Sequence, residues 1–338
     1  YRCEPPIVEA AMRLIAHNEE RFPKKIRAGK SGKQKVRFQY FEDCYKENAF
    51  LAEDIRQTVQ NGVPLSEIAV LFRTNMQPRA LMEYMVSANL AFQTKDRIPD
   101  IYEHWIARDF FTYIRIAQGS DSRADFLSIM NRPKRYIGRD SLPDETVCFD
   151  EWMKLYEEQP WIAERIEKLW YDLKHLSRLS PYAAINYIRR GIGYDDYLAE
   201  YAEYRNANKE DFYEVADEIL ASAKGYRTFE EWFAHIEEYR QELKRLAQEK
   251  RRNQNAVTFA TLHSAKGLEF TKVYLIDVNE GVMPYKKAVL KQDVEEERRL
   301  FYVGMTRAKE SLTICSVKKM RGKEVELSRF IKEAGKEP

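Results

Sequence analysis

Residues 257–270, VTFATLHSAKGLEF, and residues 295–308, EEERRLFYVGMTRA, decide how this chain is read. Residues 257–262 form a short apolar run of β-branched and aromatic type, which predicts a buried strand. The run leads into a polar loop carrying Lys266 and Gly267, the position at which a doubly wound sheet binds ligands. The second stretch is predicted to be a helix opening on a capping box, Asp293 with Glu296 three residues later. Leu300, Phe301, Val303 and Met305 supply its packing face. It ends by delivering Arg307 just ahead of another strand pattern at 311–316, SLTICS.

Outward from these stretches both ends of the chain read as α/β. Residues 35–41 alternate like a strand, 47–60 read as a helix ending before Asn61-Gly62, and 68–72 (IAVLF) read as a buried parallel strand. A helix is predicted over 79–88 and strands over 90–94 and 272–277. Strands alternating with helices imply a parallel sheet with right-handed crossovers. The middle differs. Helical patterns rich in Trp, Tyr, Glu and Arg cover 101–117, 151–156, 161–177, 181–190, 209–224 and 229–252, and no convincing strand interrupts them. The predicted organisation is a sheet domain over 1–100 and 255–338, interrupted by a mostly helical insertion over 101–254. The insertion's aromatic residues are read mainly as helical core.

The chain has 338 residues, enough for two domains, and its 56 basic against 54 acidic residues leave a net charge of +2. Any nucleic-acid surface must therefore come from local clustering. Residues 24–37 hold seven basic residues and no acid and could steer a polyanion, or form a solvated loop. Residues 318–323 (KKMRGK) suit a basic hairpin turn, and Arg251-Arg252 suits a helix end. Cys3, Cys44, Cys148 and Cys315 lie far apart without a CxxC pair, as expected of reduced thiols in a cytoplasmic protein. His17, His104, His175, His235 and His263 show no metal-ligand spacing, so no metal site is predicted. No apolar run approaches the ~18 residues of a membrane span. A phosphate cradle is missing too: Gly29-Lys30-Ser31 has Lys24 where GxxxxGK[ST] needs Gly, and no apolar strand precedes it.

Residues 261–270 and 295–308 resemble motifs V and VI of the superfamily 1A DNA helicases, the UvrD/PcrA/Rep family. Tyr1-Arg2, with residues 4–11 (EPPIVEAA), resembles motif IV, Cys3 standing where the family has Ser. Residues 68–79 (IAVLFRTNMQPR) resemble the family's AVLYRTNAQSR segment, and 132–138 (RPKRYIG) its PKRGIG element, with Tyr136 in place of the first Gly. The chain begins inside motif IV without a Met and is read as a piece of a larger protein. The resemblance implies a RecA-like motor domain (2A) carrying a 2B insertion.

The resemblance also implies roles. Arg2 and Arg307 would be catalytic arginines reaching the γ-phosphate across a cleft, with Tyr1 stacking on adenine and Gly267 and Glu269 near the nucleotide. ATP would be the cofactor. Its Mg²⁺ ligands and Walker motifs would lie in an N-terminal half upstream of Tyr1, so this piece alone is expected not to hydrolyse ATP. Thr261, His263 and Ser264, and Arg73, Thr74 and Asn75, are the candidates for single-stranded DNA. Lys134, Arg135 and Gly138 are those for the duplex at a junction, and Gly191-Ile192-Gly193 is a weaker candidate. The implied function is the C-terminal half of a 3′→5′ DNA helicase or translocase in repair or replication. The rivals are the motor of an AddA/RecB-type helicase–nuclease and a non-catalytic DNA-binding or partner-binding module.

Overall fold

A computed structural model of the chain describes residues 3–19, 36–249 and 255–335. Tyr1, Arg2, Arg251, Arg252 and most of the basic stretch 24–37 lie outside the described residues. The chain opens with α1 (Pro5–Ile15), β1 (Arg37–Asp43), α2 (Cys44–Gln60), β2 (Ile68–Phe72), α3 (Arg79–Ser87) and β3 (Phe92–Thr94). Helices α4 (Trp105–Ala117), α5 (Arg123–Ile129), α6 (Phe149–Lys154), α7 (Pro160–Leu176), α8 (Pro181–Arg190), α9 (Tyr194–Tyr204), α10 (Lys209–Ser222) and α11 (Phe229–Glu249) follow. The chain closes with β4 (Val257–Thr261), β5 (Phe270–Leu275), α12 (Lys291–Met305), β6 (Ala308–Met320), β7 (Lys323–Glu324) and α13 (Arg329–Ala334). It divides into two compact units, residues 1–99 with 241–338, and residues 100–240.

The first unit is mixed α/β around a parallel sheet in the order β1-β6-β5-β2-β4-β3, with β7 pairing antiparallel to β6. β2 and β4 are buried along their whole length, as their unbroken apolar runs require. Ile7, Ala11, Leu14, Phe301, Met305, Phe330 and Ile331 pack one face of the sheet together with Val273, Leu312 and Ile314. Local chemistry sets the helix starts. Two prolines open α1, Asp43 caps α2 by accepting the Lys46 N–H at 3.0 Å, and Ser328 caps α13 through the Phe330 N–H. The β6–β7 turn places Arg321 and Gly322 at φ 52° and 80°, the primed-turn geometry of a tight hairpin, and Lys318 and Lys319 pair there with Glu42.

The α12 start departs from the sequence expectation. The helix begins at Lys291, and Asp293 sits in its first turn with its carboxylate accepting the Leu290 N–H at 3.3 Å. Leu290 has no side-chain acceptor, so only the returning half of a capping box forms. Further along, Gly304 lets α12 settle onto the sheet. A Cβ there would lie 2.3 Å from Leu262 Cδ2 and 3.3 Å from Leu275 Cδ2, both in the packed core. Gly304→Ala is therefore expected to destabilise the chain by about 1–3 kcal/mol through overpacking. The ~1 kcal/mol helix-propensity advantage of Ala over Gly opposes this without cancelling it. Urea unfolding checks the sign, and a net stabilisation would mean that α12 can lift off Leu262.

The second unit is helical among its described residues, apart from one isolated bridge between Ser122 and Thr146. Trp152, Trp232, Tyr113, Tyr194, Tyr239, Phe110 and Phe126 are fully buried, so the aromatic richness builds core. Two helices escaped the sequence pattern, α5 and α9. The latter starts where Gly193 adopts φ +90°, a left-handed residue that only glycine takes easily.

Candidate nucleotide and nucleic-acid site

β4 and β5 are not neighbours; β2 lies between them. Because both run parallel to β2, residues 262–269 must return from the carboxyl edge of the sheet to its amino edge. Leu262 and Ala265 bury themselves in the core beneath α12 during this crossing. The two ends of the stretch that opened the sequence reading are thus a strand length apart, roughly 17 Å for five residues. Thr261 and Ser264 stand at the carboxyl edge, while Glu269 and Arg307 stand at the amino edge. Only the first part of the loop occupies the position at which doubly wound sheets bind ligands. Lys266 and Gly267 (φ +87°) are exposed within the crossing.

At the amino edge Arg307 follows α12 directly and precedes β6. Its Nε donates to the Val303 carbonyl at 2.9 Å, Nη1 to the Leu268 carbonyl at 3.0 Å and Nη2 to Thr306 Oγ1 at 3.1 Å. A guanidinium has five N–H donors, so two remain after these three bonds. Among the described residues no carboxylate lies within ion-pair reach of Arg307. The Phe270 N–H donates to the Arg307 carbonyl at 2.9 Å, which joins the start of β5 to the same corner. The chain's first described residues are sewn in alongside: Cys3 Sγ donates to the Thr306 carbonyl at 3.3 Å and the Glu4 N–H to the Lys309 carbonyl at 2.9 Å. Cys3 is buried and keeps the hydrogen-bond donor that a Ser would supply. Burial pushes its thiol up, against the pull of the Arg307 charge, so it stays protonated. Glu269 is exposed at this corner, and Tyr1 and Arg2 lie outside the described residues.

At the carboxyl edge Thr261 and Ser264 converge on a residue that the sequence did not single out, Asp96. The Thr261 N–H donates to Asp96 Oδ2 at 2.7 Å, Thr261 Oγ1 to Oδ1 at 3.1 Å, and Ser264 Oγ to the same Oδ1. His263 is exposed beside them. The neighbouring turn after β2 is tied down internally. Gln77 Oε1 accepts the Arg73 N–H at 2.8 Å and the Thr74 N–H at 2.7 Å. The Arg73 guanidinium grips Glu297 of α12 through Nε and Nη2 at 2.8–3.1 Å and lies 5.1 Å from the Tyr285 ring. The Arg73 guanidinium and the Thr74 amide thus have partners within the fold, and both residues stay half-buried. Asn75 keeps its Oδ1 buried without a hydrogen-bond partner.

In the helical unit, the Arg135 side chain is turned into the fold. It is 8% exposed and donates to the carbonyls of Ile129, Met130 and Pro133 at 3.0–3.3 Å and to Tyr113 Oη at 3.1 Å. It closes the end of α5, where the last carbonyls of a helix need donors. The Gly138 N–H is also taken, donating to Tyr156 Oη at 3.2 Å. Lys134 remains exposed over the Tyr136 ring at 4.7 Å, and Arg165 lies 5.2 Å from that ring and 4.9 Å from Trp161. In the second glycine element, Gly191 packs on Tyr187, and Arg189 is buried in ion pairs with Asp195 and Asp217.

Among the described residues no group of His, Cys, Asp and Glu could hold a metal ion, and no helix is long and apolar enough to cross a membrane. The model of the UvrD-like helicase C-terminal domain matches residues 1–156 and 162–319. The ATP-dependent DNA helicase PcrA of Staphylococcus epidermidis is 30% identical over 98% of this chain and 48% of its own length. PcrA of Bacillus subtilis is 28% identical over 94% of the chain and 46% of its own length. The ATP-dependent DNA helicase Rep of Salmonella typhimurium is 27% identical, over 98% and 53%. The chain spans about half the length of these relatives. Since the matched residues run through the Arg307 corner and the Thr261 loop alike, the chain belongs to the UvrD-like helicase C-terminal domain family.

Proposed function

We propose that this chain is the C-terminal half of an ATP-dependent DNA helicase or translocase. Its sheet unit would be the RecA-like 2A motor domain and its helical unit the 2B insertion. The observation that carries the reading is Arg307, a guanidinium oriented by three hydrogen bonds, with two N–H donors left and no carboxylate within ion-pair reach among the described residues. Such a group suits phosphate oxygens, which a guanidinium binds bidentately and with permanent charge. In this reading Arg307 meets the γ-phosphate held by a Walker domain elsewhere in the protein, and Arg2, Tyr1, Gly267 and Glu269 complete the nucleotide side. Bound ATP with Mg²⁺ supplies the phosphoryl group whose transfer drives movement. The Mg²⁺ ligands are assigned to that other domain on the family resemblance.

Thr261, His263 and Ser264 would contact the phosphates of single-stranded DNA at the opposite edge, positioning the strand without reading its sequence. Asn75 would join them through its side-chain amide N–H donors, and Lys134 would serve the duplex side of a junction. The crossing loop, anchored by Arg307 at Leu268 and by Asp96 at Thr261, would carry strain between the two edges. Movement is assigned 3′→5′ and the role to repair or replication, on the family resemblance. The test is ATP hydrolysis by a protein joining this chain to its Walker half, with and without oligothymidylate. DNA-stimulated turnover by the joined protein, and none by the chain alone, is expected. DNA binding without turnover would favour a non-catalytic module, and accompanying DNA cleavage a helicase–nuclease of the AddA/RecB type.

A further inference from the structure

We infer that Asp96 is an internal competitor for the phosphate seat at the carboxyl end of β4. Three donors meet there: the Thr261 N–H, Thr261 Oγ1 and Ser264 Oγ. All three spend themselves on one carboxylate, whose two oxygens and single negative charge match those of a phosphodiester. Among the described residues Asp96 has no cationic partner, so these neutral donors alone compensate its charge. The seat is also open on one side, since His263 and Ser264 are exposed.

Asp96 can leave cheaply. It lies in residues 95–99, which follow β3 and belong to no helix or strand. The Lys95 N–H still donates to the Phe259 carbonyl at 2.9 Å, so the backbone just before Asp96 stays anchored while its side chain rotates. A phosphate arriving at Thr261 therefore meets occupied donors and a like charge, and it binds by exchange: the phosphate enters as the carboxylate swings out. The donors are never left unsatisfied, and a buried or half-buried donor without a partner is what such a site would otherwise have to bear. The exchange lowers affinity for a single strand and lets the loop release each phosphate readily.

This inference rests on the reading of the loop as a single-strand contact, and the test separates the two. Binding of fluorescein-labelled oligothymidylate by the 338-residue chain is followed by anisotropy for the wild type, Asp96→Ala, Asp96→Asn and Ser264→Ala, with circular dichroism to confirm folding. Both Asp96 variants are expected to bind tighter, Asp96→Ala by about five- to tenfold at low salt, with the gain shrinking as salt screens the lost repulsion. Asp96→Asn keeps the side-chain shape, so its gain isolates the charge. If Ser264→Ala weakens binding but neither Asp96 variant tightens it, Asp96 only positions the donors and the competitor inference falls alone. If Ser264→Ala has no effect, or none of the proteins binds, the reading of the loop falls and takes the inference with it.

Discussion

Arg307→Ala is expected to lower single-stranded-DNA-stimulated ATP hydrolysis by about 10³-fold or more in a protein that carries both this chain and its Walker half, while nucleotide affinity changes by less than about tenfold. The asymmetry follows from when the charge acts. A guanidinium aimed at a transferring phosphoryl group stabilises charge that develops in the transition state, so its loss appears in kcat more than in binding. Arg307→Lys should rescue little, because an ammonium cannot make the three directed bonds to Val303, Leu268 and Thr306 and still present a planar fork. The variant also frees the Leu268 carbonyl, so oligothymidylate affinity is measured alongside. Turnover that stays near wild type would remove Arg307 from the chemistry and leave it as a clasp between α12 and the crossing loop. Lost turnover with equally lost DNA binding would indicate a collapsed loop.

The largest expected effect on stability lies away from both edges. Asp54, on α2, accepts from Lys272 Nζ at 2.6 Å, Tyr274 Oη at 2.6 Å and Arg37 Nη2 at 2.9 Å, and Lys272 also donates to Thr58 Oγ1 at 2.6 Å. Asp54→Asn would strand the buried Lys272 without its counter-charge, at a cost of about 3–5 kcal/mol in urea unfolding at neutral pH. Burial alone would push the Asp54 carboxyl up. The hydrogen bonds from Lys272 and Tyr274 and the Lys272 charge outweigh burial and hold it below the ordinary carboxylate range. A depressed carboxyl contributes stability above its unfolded pKa, about 3.9, and loses it as the pH falls through the folded value. The gap between wild type and Asp54→Asn is therefore full at neutral pH and narrows below about pH 4. Glu47 works in the opposite sense. Burial and the neighbouring Asp277 raise its carboxyl well above normal, so its contribution fades as the pH rises. Glu47 is common to both proteins, so that slope cancels in the difference. A gap that does not narrow in acid would mean that Asp54 is not the ionised hub of this network.

Much of the architecture was legible along the chain. The unbroken apolar run of β2 and β4, the amphipathic face of α12 and the aromatic density of the helical unit are local patterns. Burial imposes them between near neighbours, as continuous runs in strands covered on both faces and every three to four residues along helices, so they survive in the sequence. The helix starts were less so: α12 begins at Lys291, which puts Asp293 inside its first turn and not ahead of it. The sequence by itself determined the alternation of strands and helices, the motif residues and the family. Only the tertiary structure decided what those residues face. The strand order, with β2 between β4 and β5, sends one short loop across the sheet and separates Thr261 from Arg307. Asp96 meets Thr261 across 165 positions, and Glu297 meets Arg73 across 224. The buried seat of Arg135 depended on the end of α5, a helix too short to leave a periodic signature. The physical reason is one of range. Hydrophobic periodicity is written between near neighbours, whereas the pairing of one donor with one acceptor depends on where folding brings distant segments together.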